Sequence, residues 1–220
     1  MVPWPLQAVP ESGTKRQTAK GTFSMLHIEP VTLSTDRLTL RPLSLADVPA
    51  LGVAASDGEL WQKKTTTVPR PEGFEAYVQK ALELQAAGLA LPFATVVNDG
   101  NRVVGSTRYM NIDAANRRVE IGTTWIATSW QRTFVNTHAK FLMLRHAFEV
   151  LGCLAVEIRT HARNDQSRAA IERLGAKLDG ILRQHMIMPD GHIRDTAVYS
   201  IVREEWPAVK ARLESRLASA

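Results

Sequence analysis

The chain has 220 residues, of which 45% are hydrophobic and 22% charged, and its formal net charge at pH 7 is +5. This composition is ordinary for a soluble globular protein; no apolar run approaches the roughly 18 residues of a membrane span, and scattered basic residues disfavour nucleic-acid binding. The single cysteine, Cys153, excludes an internal disulfide and a cysteine-based metal site and favours a cytoplasmic location.

The first predicted segment, residues 1–30, is rich in Pro, Gly, Ser, Thr and Lys and predicts a flexible extension. It lacks the continuous apolar stretch of a signal peptide. Residues 35–42 then alternate apolar and polar side chains, which predicts a strand ended by proline. Ser44 and Asp47 have the spacing of a capping box and predict a helix start. Helical spacing over 71–87, bounded by proline and glycine, predicts the next helix.

Three strand-like runs follow, at 91–98, 102–112 and 117–126. Short turns separate them, one marked by Asn-Asp-Gly-Asn, so they predict an antiparallel meander. After residue 126 the spacing of the apolar residues changes from that of strands to that of a helix. Residues 139–151 place apolar side chains on a broad face and predict a buried helix that Gly152 ends.

The last part of the domain begins with a predicted strand at 154–160 and a predicted helix at 166–174. Two further strands, at 180–188 and 193–202, flank an Asp-Gly pair, which is a strong hairpin signal. The amphipathic spacing of the tail predicts a terminal helix.

This order of elements predicts one α/β domain over 31–206 with a mostly antiparallel sheet, followed by a C-terminal helix at 207–220. The strand–helix–strand unit from 117 to 160 is long enough for a right-handed parallel crossover. Cofactors commonly bind beside such a unit, where strand C-termini and helix N-termini meet.

The first candidate site is the helix start within SWQRTFVNTHAK, which begins at Ser129. Helix N-termini present free N–H groups and partial positive charge, so this segment has features of a phosphate-binding loop although it contains no glycine. Further donors come from Arg132, Lys140, Thr133 and Thr137. The alternative is an ordinary cap provided by Thr133 or Asn136, with the lysine and Arg145 in solvent.

Two further candidates lie within or directly after strands. Asn164 and Ser167 follow a strand and could line the same cleft, although the default interpretation is that Asn164 or Asp165 caps the next helix. Glu120 lies inside a strand among apolar neighbours, where burial could raise its pKa and make it a general base. The alternative is an ion pair with Arg117, Arg118 or Arg108.

The histidines offer no metal site, since their positions do not share metal-ligand spacing. His161 is the most interesting of them because it follows a strand end. The sequence contains no Gly-x-Ser-x-Gly elbow and no Walker loop, which removes the main support for a hydrolase or a kinase.

Five segments, in this order, resemble the GNAT superfamily of acetyl-CoA-dependent N-acetyltransferases, in particular its RimJ/RimL branch of ribosomal-protein-alanine acetyltransferases. They are TDRLTLRPLSLAD, VEIGTTWI, NTHAKFLMLRHAFEVLG, VEIRTHARNDQSRAAIERLGA and GILRQHMIMPDGHIRDTAVYSIVREEWP. No single segment is decisive, whereas the ordered set is specific. The resemblance implies an α/β (α+β) fold, with a mixed, mostly antiparallel sheet of six to seven strands, splayed between strands 4 and 5 and flanked by helices.

In such folds acetyl-CoA enters the V between the splayed strands, and the resemblance implies a role for individual residues. The coenzyme arm would pair with the backbone of Trp125, Ile126 and Ala127. The pyrophosphate would bind the helix start, at Arg132, Thr133, Phe134, Val135, Asn136 and Thr137. The remaining assignments are Asn164 and Arg168 on the coenzyme, Ser167 as general acid for the departing thiolate, and Glu120 as general base, directly or through water.

The implied reaction is direct transfer to a primary amine, with no metal, while strand N–H groups hold the oxyanion. The sequence departs from the family pattern at Arg132 and Phe134, which occupy the usual glycine positions, and at His138 and His161, where acidic residues are common. These departures motivate an alternative, a catalytically silent acyl-CoA-binding module. A protein N-terminus and a small-molecule amine are both open as acceptors, and so is a homodimer.

Overall fold

The computed structural model describes residues 26, 28–63, 66–188 and 190–218. The predicted extension at 1–30 therefore lies largely outside the described residues. In the described part of the chain, no helix is long and apolar enough to cross a membrane.

Eight strands form one sheet. They are β1 (Leu33–Ser34), β2 (Leu38–Pro42), β3 (Ala90–Val97), β4 (Arg102–Asp113), β5 (Arg118–Ile126), β6 (Ala155–His161), β7 (Lys177–Ile187) and β8 (Ile193–Val202). Their order across the sheet is β1-β2-β3-β4-β5-β6-β8-β7. The prediction of six to seven strands lacked β1, because two residues are too few to show an alternating pattern.

Neighbouring strands pair antiparallel at every step except one. β3, β4 and β5 form the predicted meander. β5 and β6 pair in parallel, which confirms the predicted crossover. The helix of that crossover lies between a strand that ends at Ile126 and one that begins at Ala155.

The α-helices of the described chain are α1 (Val48–Ser56), α2 (Phe74–Ala86), α3 (Phe134–Arg145), α4 (Asp165–Leu174) and α5 (Trp206–Ala218). A 3-10 turn precedes α1, and there the Ser44 N–H donates to Asp47 Oδ2 at 2.9 Å, as the predicted capping box requires. Gly175 follows α4 with a φ of 102°, a left-handed conformation that glycine adopts without strain and that ends the helix.

Helix α3 begins at Phe134 rather than at residue 139, where the apolar pattern begins. The reason is local, since Thr133 caps the helix and its first turn carries polar side chains that obscure the period. A π-helical turn, His146–Val150, continues α3, and Gly152 then takes a φ of 68°.

The helices form two layers of unequal extent. α3, α4 and α5 cover one face of the sheet, where Leu142, Ile171 and Leu213 enter a common core. α1 and α2 cover the other face, where Leu51 and Phe74 enter a second core with residues of β3 and β5. At the far end of the sheet, β7 is exposed along almost its whole length. The second face is therefore open beyond β5, and polar residues of β5, β6 and β8 can face incoming molecules there.

Candidate active site

The sheet opens between β5 and β6. The two strands pair only where residues 118–120 of β5 meet residues 155–157 of β6. Beyond this point β5 continues to Ile126 and β6 to His161 without pairing, so the strands diverge into the V that the sequence predicted. The pairing of β4 with β5 also shifts register here, and Thr123 takes a left-handed φ of 47°. Such a bulge re-aims side chains next to a site.

Glu120 is the last residue of β5 that pairs with β6, and it is 6% exposed. Asn111 Nδ2 donates to Glu120 Oε2 at 2.7 Å, and Arg159 Nε lies 3.3 Å from the same oxygen. Neither partner was among those that the sequence suggested. Burial raises the pKa of Glu120, while the Asn111 hydrogen bond and the Arg159 charge partly oppose this rise. The carboxylate is thus held in place and is a stronger base than an exposed one.

Space is left beside this carboxylate by Gly122. A Cβ at that position would lie 3.1 Å from Glu120 Oε1 and 2.5 Å from the sulfur of Met110. An open cavity of about 860 Å³ adjoins Glu120 at the paired end of β5 and β6, with Asn111, Glu157 and Arg159 in its wall. A small molecule therefore has room to approach Glu120.

The second part of the site is the start of α3. Thr133 caps the helix, and its Oγ1 accepts the Val135 N–H at 3.4 Å. Arg132, directly before the cap, has a φ of 62°. This left-handed conformation is the one for which glycine is the usual choice, so the backbone has a glycine-like shape although the residue is arginine. The N–H groups of the first helical turn have no helical partners and can bind an anion.

Two more arginines lie at this helix start. The Arg37 guanidinium lies 3.8 Å from the ring centre of Phe134, and that of Arg102 lies 5.8 Å from the ring centre of Trp130. Together with Arg132 they surround the loop with positive charge. Sequence reasoning missed Arg37 and Arg102, because they lie in the turn before β2 and at the start of β4, and no local pattern links them to the loop.

The sequence suggested that Lys140 either donates to phosphate at the helix start or lies in solvent. The structure instead buries it on the inner side of α3, where it is 5% exposed. Its Nζ donates to Thr124 Oγ1, beside the bulge of β5, at 2.8 Å. Burial lowers the pKa of Lys140 to about 7. Among the described residues no carboxylate forms an ion pair with it, so burial of this charge is not compensated locally.

The backbone expected to pair with the coenzyme arm lies at the diverging end of β5. The Ala127 N–H already donates to the Val104 carbonyl at 2.8 Å, and the Ile126 carbonyl accepts from Gln131 Nε2 at 2.8 Å. The Trp125 side chain is 6% exposed and packs on Phe74 of α2. These residues therefore fix the edge of the V, and two of their backbone groups already have partners within the protein.

The third predicted cluster lies at the start of α4, beyond the end of β6. Asn164 Oδ1 accepts the Ser167 N–H at 3.1 Å, so Asn164 caps the helix. The Ser167 hydroxyl makes no hydrogen bond to the described residues. Arg168 donates to the Tyr199 hydroxyl at 2.9 Å and to the Ala162 carbonyl at 3.2 Å. Arg168 is thus engaged within the domain, whereas the hydroxyl of Ser167 is available.

The histidines that depart from the family pattern serve the fold or a loop contact. Buried His138 lies against Thr35, with Nδ1 and Oγ1 2.8 Å apart. His161 Nε2 lies 3.1 Å from His192 Nε2, and His192 Nδ1 lies 2.7 Å from Asp190 Oδ1. In the described part of the chain no three His, Cys, Asp or Glu side chains are grouped so as to hold a metal ion.

Comparison with known proteins places the chain among acetyltransferases. A family profile described as "Acetyltransferase (GNAT) domain" matches residues 37–177. The uncharacterized N-acetyltransferase p20 of Bacillus licheniformis is 27% identical over 177 residues, which are 80% of this chain and 98% of that protein. A GCN5-related N-acetyltransferase from Brucella melitensis is 30% identical, with a TM-score of 0.76 over 86% of each chain. Mycobacterium smegmatis RimJ, in complex with CoA-disulfide, shares the fold at 23% identity, with a TM-score of 0.73 over 85% of this chain and 95% of that one.

Proposed function

The chain belongs to the GNAT acetyltransferase family, and we propose that it transfers the acetyl group of acetyl-CoA to a primary amine by direct attack within a ternary complex. The observation that carries this proposal is a buried glutamate, Glu120, at the point where β5 and β6 diverge, together with a helix, α3, that starts directly after β5 and contacts its diverging end through Lys140 and Thr124. A base and an anion-binding helix end on one cleft are the two parts that such a transfer requires.

The start of α3 fits the phosphates of coenzyme A. Free amides of the first turn, the helix dipole and the guanidinium of Arg132 would bind the pyrophosphate. Arg37 and Arg102 lie close enough to add charge for the remaining phosphate. The coenzyme supplies the acetyl group as an activated thioester.

Glu120 acts as the general base in this proposal. It accepts a proton from the acceptor ammonium, directly or through one water molecule, and Arg159 and Asn111 hold its carboxylate in position. The neutral amine then forms its bond to the acetyl carbon, the carbon–sulfur bond breaks, and Ser167 supplies a proton to the sulfur. The nitrogen loses its second proton as the amide forms, and this proton passes through water to restore the Ser167 hydroxyl. Binding both reactants in one cleft provides much of the rate enhancement.

The acceptor is either a protein N-terminus or a small-molecule amine. The RimJ/RimL resemblance favours the first, and the cavity beside Glu120, of about 860 Å³, accommodates either the end of a peptide or a free amine. The cytoplasm, where acetyl-CoA and such acceptors are present, is the location that we propose.

Acetyl-CoA at about 100 times its dissociation constant is expected to stabilise the protein by about 2.7 kcal/mol, because it binds the folded state alone. For a chain of this size, that corresponds to a rise of the melting temperature of roughly 5–10 °C. The measurement is a thermal unfolding curve with and without acetyl-CoA, and pantetheine, which lacks the phosphates, is the control ligand. No shift at saturating acetyl-CoA would contradict the proposal. Binding without thiol release across a broad amine panel would instead favour the silent acyl-CoA-binding module.

Replacing Arg132 with glycine is expected to weaken acetyl-CoA binding about 3- to 10-fold, the loss of one charge-assisted hydrogen bond to phosphate. Glycine keeps the left-handed backbone at this position, so the fold is not strained. The matched control is Arg117→Gly, the same change at another left-handed arginine (φ 50°) outside the site. Calorimetric titration measures the affinities. Unchanged affinity in Arg132→Gly would mean that the helix amides suffice.

A further inference from the structure

A buried arginine lies beside the catalytic glutamate. Arg108 of β4 pairs with Gly122 of β5, two residues beyond Glu120, so Arg108 and Glu120 point to the same face of the sheet. Arg108 is 6% exposed. Its guanidinium lies over the Tyr77 ring of α2, 5.2 Å from the ring centre.

Within the part of the chain that the structure describes, Arg108 has no carboxylate partner. Its Nε is buried without a hydrogen-bond partner, and among the described residues no carboxylate lies within ion-pair distance of its guanidinium. A buried guanidinium of this kind is costly unless a partner arrives, since a buried charge needs a hydrogen-bonded counter-charge. The cation–π contact with Tyr77 offsets only part of this cost.

A second arginine, Arg194 of β8, lies on the same face of the sheet as Glu120. Arg194 donates from Nε to Thr196 Oγ1 at 3.1 Å, and Thr196 pairs with His161 at the end of β6. Arg194 is partly buried, and its positive charge acts on the carboxyl of Glu120, whose pKa it lowers slightly. In the described part of the chain, Arg194 also has no carboxylate within ion-pair distance.

The other charges around Glu120 balance each other. Glu120 and Glu157 form ion pairs with Arg159, and Glu157 also contacts Arg118. Two carboxylates thus face two arginines, which leaves Arg108 and Arg194 as surplus positive charge on the open face. A simple cationic amine would meet net repulsion there, whereas an amine that also carries an anion would complete the set.

We propose that the acceptor is an amine with a carboxylate close to its amino group, and that this carboxylate pairs with Arg108 and Arg194 while the amine lies at Glu120. The inference rests on the proposed acetyl transfer and specifies its substrate class. A guanidinium presents two parallel N–H donors that match a carboxylate, and such forked pairs orient a ligand as well as attract it. The carboxylate belongs either to a free amino acid or to an acidic residue next to a peptide N-terminus.

The test is thiol release from acetyl-CoA with matched pairs of acceptors. One arm compares free amino acids with their amides, and the other compares alanylglutamate amide with alanylglutamine amide. We expect kcat/KM for the carboxylate member to be at least 10-fold higher in one arm, with the difference mainly in KM. The arm that shows the preference identifies the source of the carboxylate. Equal or better use of the neutral members in both arms overturns the inference.

Substitutions at the two arginines test whether they cause the preference for acceptors that carry a carboxylate. Arg108→Met is expected to reduce the preference to within twofold and to leave the dissociation constant of acetyl-CoA unchanged. Arg194→Gln, at a partly exposed position, is expected to lower it at least threefold and serves if Arg108→Met does not fold. Arg216→Gln on the surface of α5 is the charge-matched control. A preference that survives both site variants overturns the inference.

The failure of this inference is distinguishable from failure of the proposed function. Thiol release with neutral amines preferred keeps the acetyl transfer and overturns only the carboxylate requirement. No thiol release with any acceptor overturns the transfer itself, and the inference with it.

Discussion

The substitution Glu120→Gln is expected to lower kcat about 100-fold, because a positioned general base contributes roughly two to four orders of magnitude to rate. The dissociation constant of acetyl-CoA should stay within about twofold, since Glu120 lies at the closed end of the V, six residues before the end of β5 that leads to α3. Gln keeps the size of the side chain and can still accept the Asn111 hydrogen bond. Steady-state thiol release measures kcat, and calorimetric titration measures the dissociation constant of acetyl-CoA.

The pH profile separates a base from a structural residue. Burial raises the pKa of Glu120 above the ordinary value of 4.5. Wild-type kcat/KM should therefore rise with pH through that raised pKa, as the carboxylate becomes free to accept a proton, and this limb should be absent in Glu120→Gln. Glu83→Gln, an exposed change on α2, is the control. Parallel losses of turnover and coenzyme affinity in Glu120→Gln would argue against a base role.

Lys140→Met is expected to raise the free energy of unfolding by roughly 4 kcal/mol at pH 6.5. The lowering of the Lys140 pKa from 10.5 to about 7 means that the folded state disfavours the charged form; the full shift corresponds to ~5 kcal/mol, less about 1 kcal/mol for the lost hydrogen bond to Thr124. Methionine is unbranched, of similar length and adaptable in cores. Urea unfolding of both proteins measures the difference.

The sign of the pH dependence follows from proton linkage. Between the folded pKa near 7 and the unfolded value of 10.5, the unfolded chain binds more protons at Lys140 than the folded one. Wild-type stability from this group therefore rises with pH across that window, and the penalty is complete below pH 7. The gain from Lys140→Met should be largest at pH 6.5 and small at pH 10. Lys80→Met, at an exposed lysine, should show no such trend; a gain that does not change with pH would contradict the assignment.

The fold was largely predictable because its signals are local and repeated. Strand-like runs between short turns marked β3 to β5, the Ser44–Asp47 box marked the start of α1, and glycines marked several helix ends. The parallel pairing of β5 and β6 followed from the length of the crossover. β1 was missed, since its two residues owe their strand conformation to β2 and not to a pattern of their own.

The site was harder to predict, because its contacts cross the sheet. Glu120 was found from its apolar neighbours, but its partners Asn111 and Arg159 come from other strands, and sequence distance does not indicate them. Lys140 looked like a surface residue, since its charge alone suggested solvent. Arg132 was assigned to a glycine position, and its left-handed φ is consistent with that.

The seam between β5 and β6 has a mechanical consequence. Only three residue pairs join β5 to β6, so the sheet has two parts, β1 to β5 and β6 to β8, that meet along one short edge. The hydrophobic core beneath α3 contacts both parts. A ligand with amide groups that fills the V would offer hydrogen-bond donors and acceptors to the unpaired edges of both strands. It would thereby link the two parts of the sheet. We therefore expect the protein with and without bound acetyl-CoA to differ in stiffness across the edge where β5 and β6 pair more than in shape, so that the acetyl donor would also stabilise the sheet.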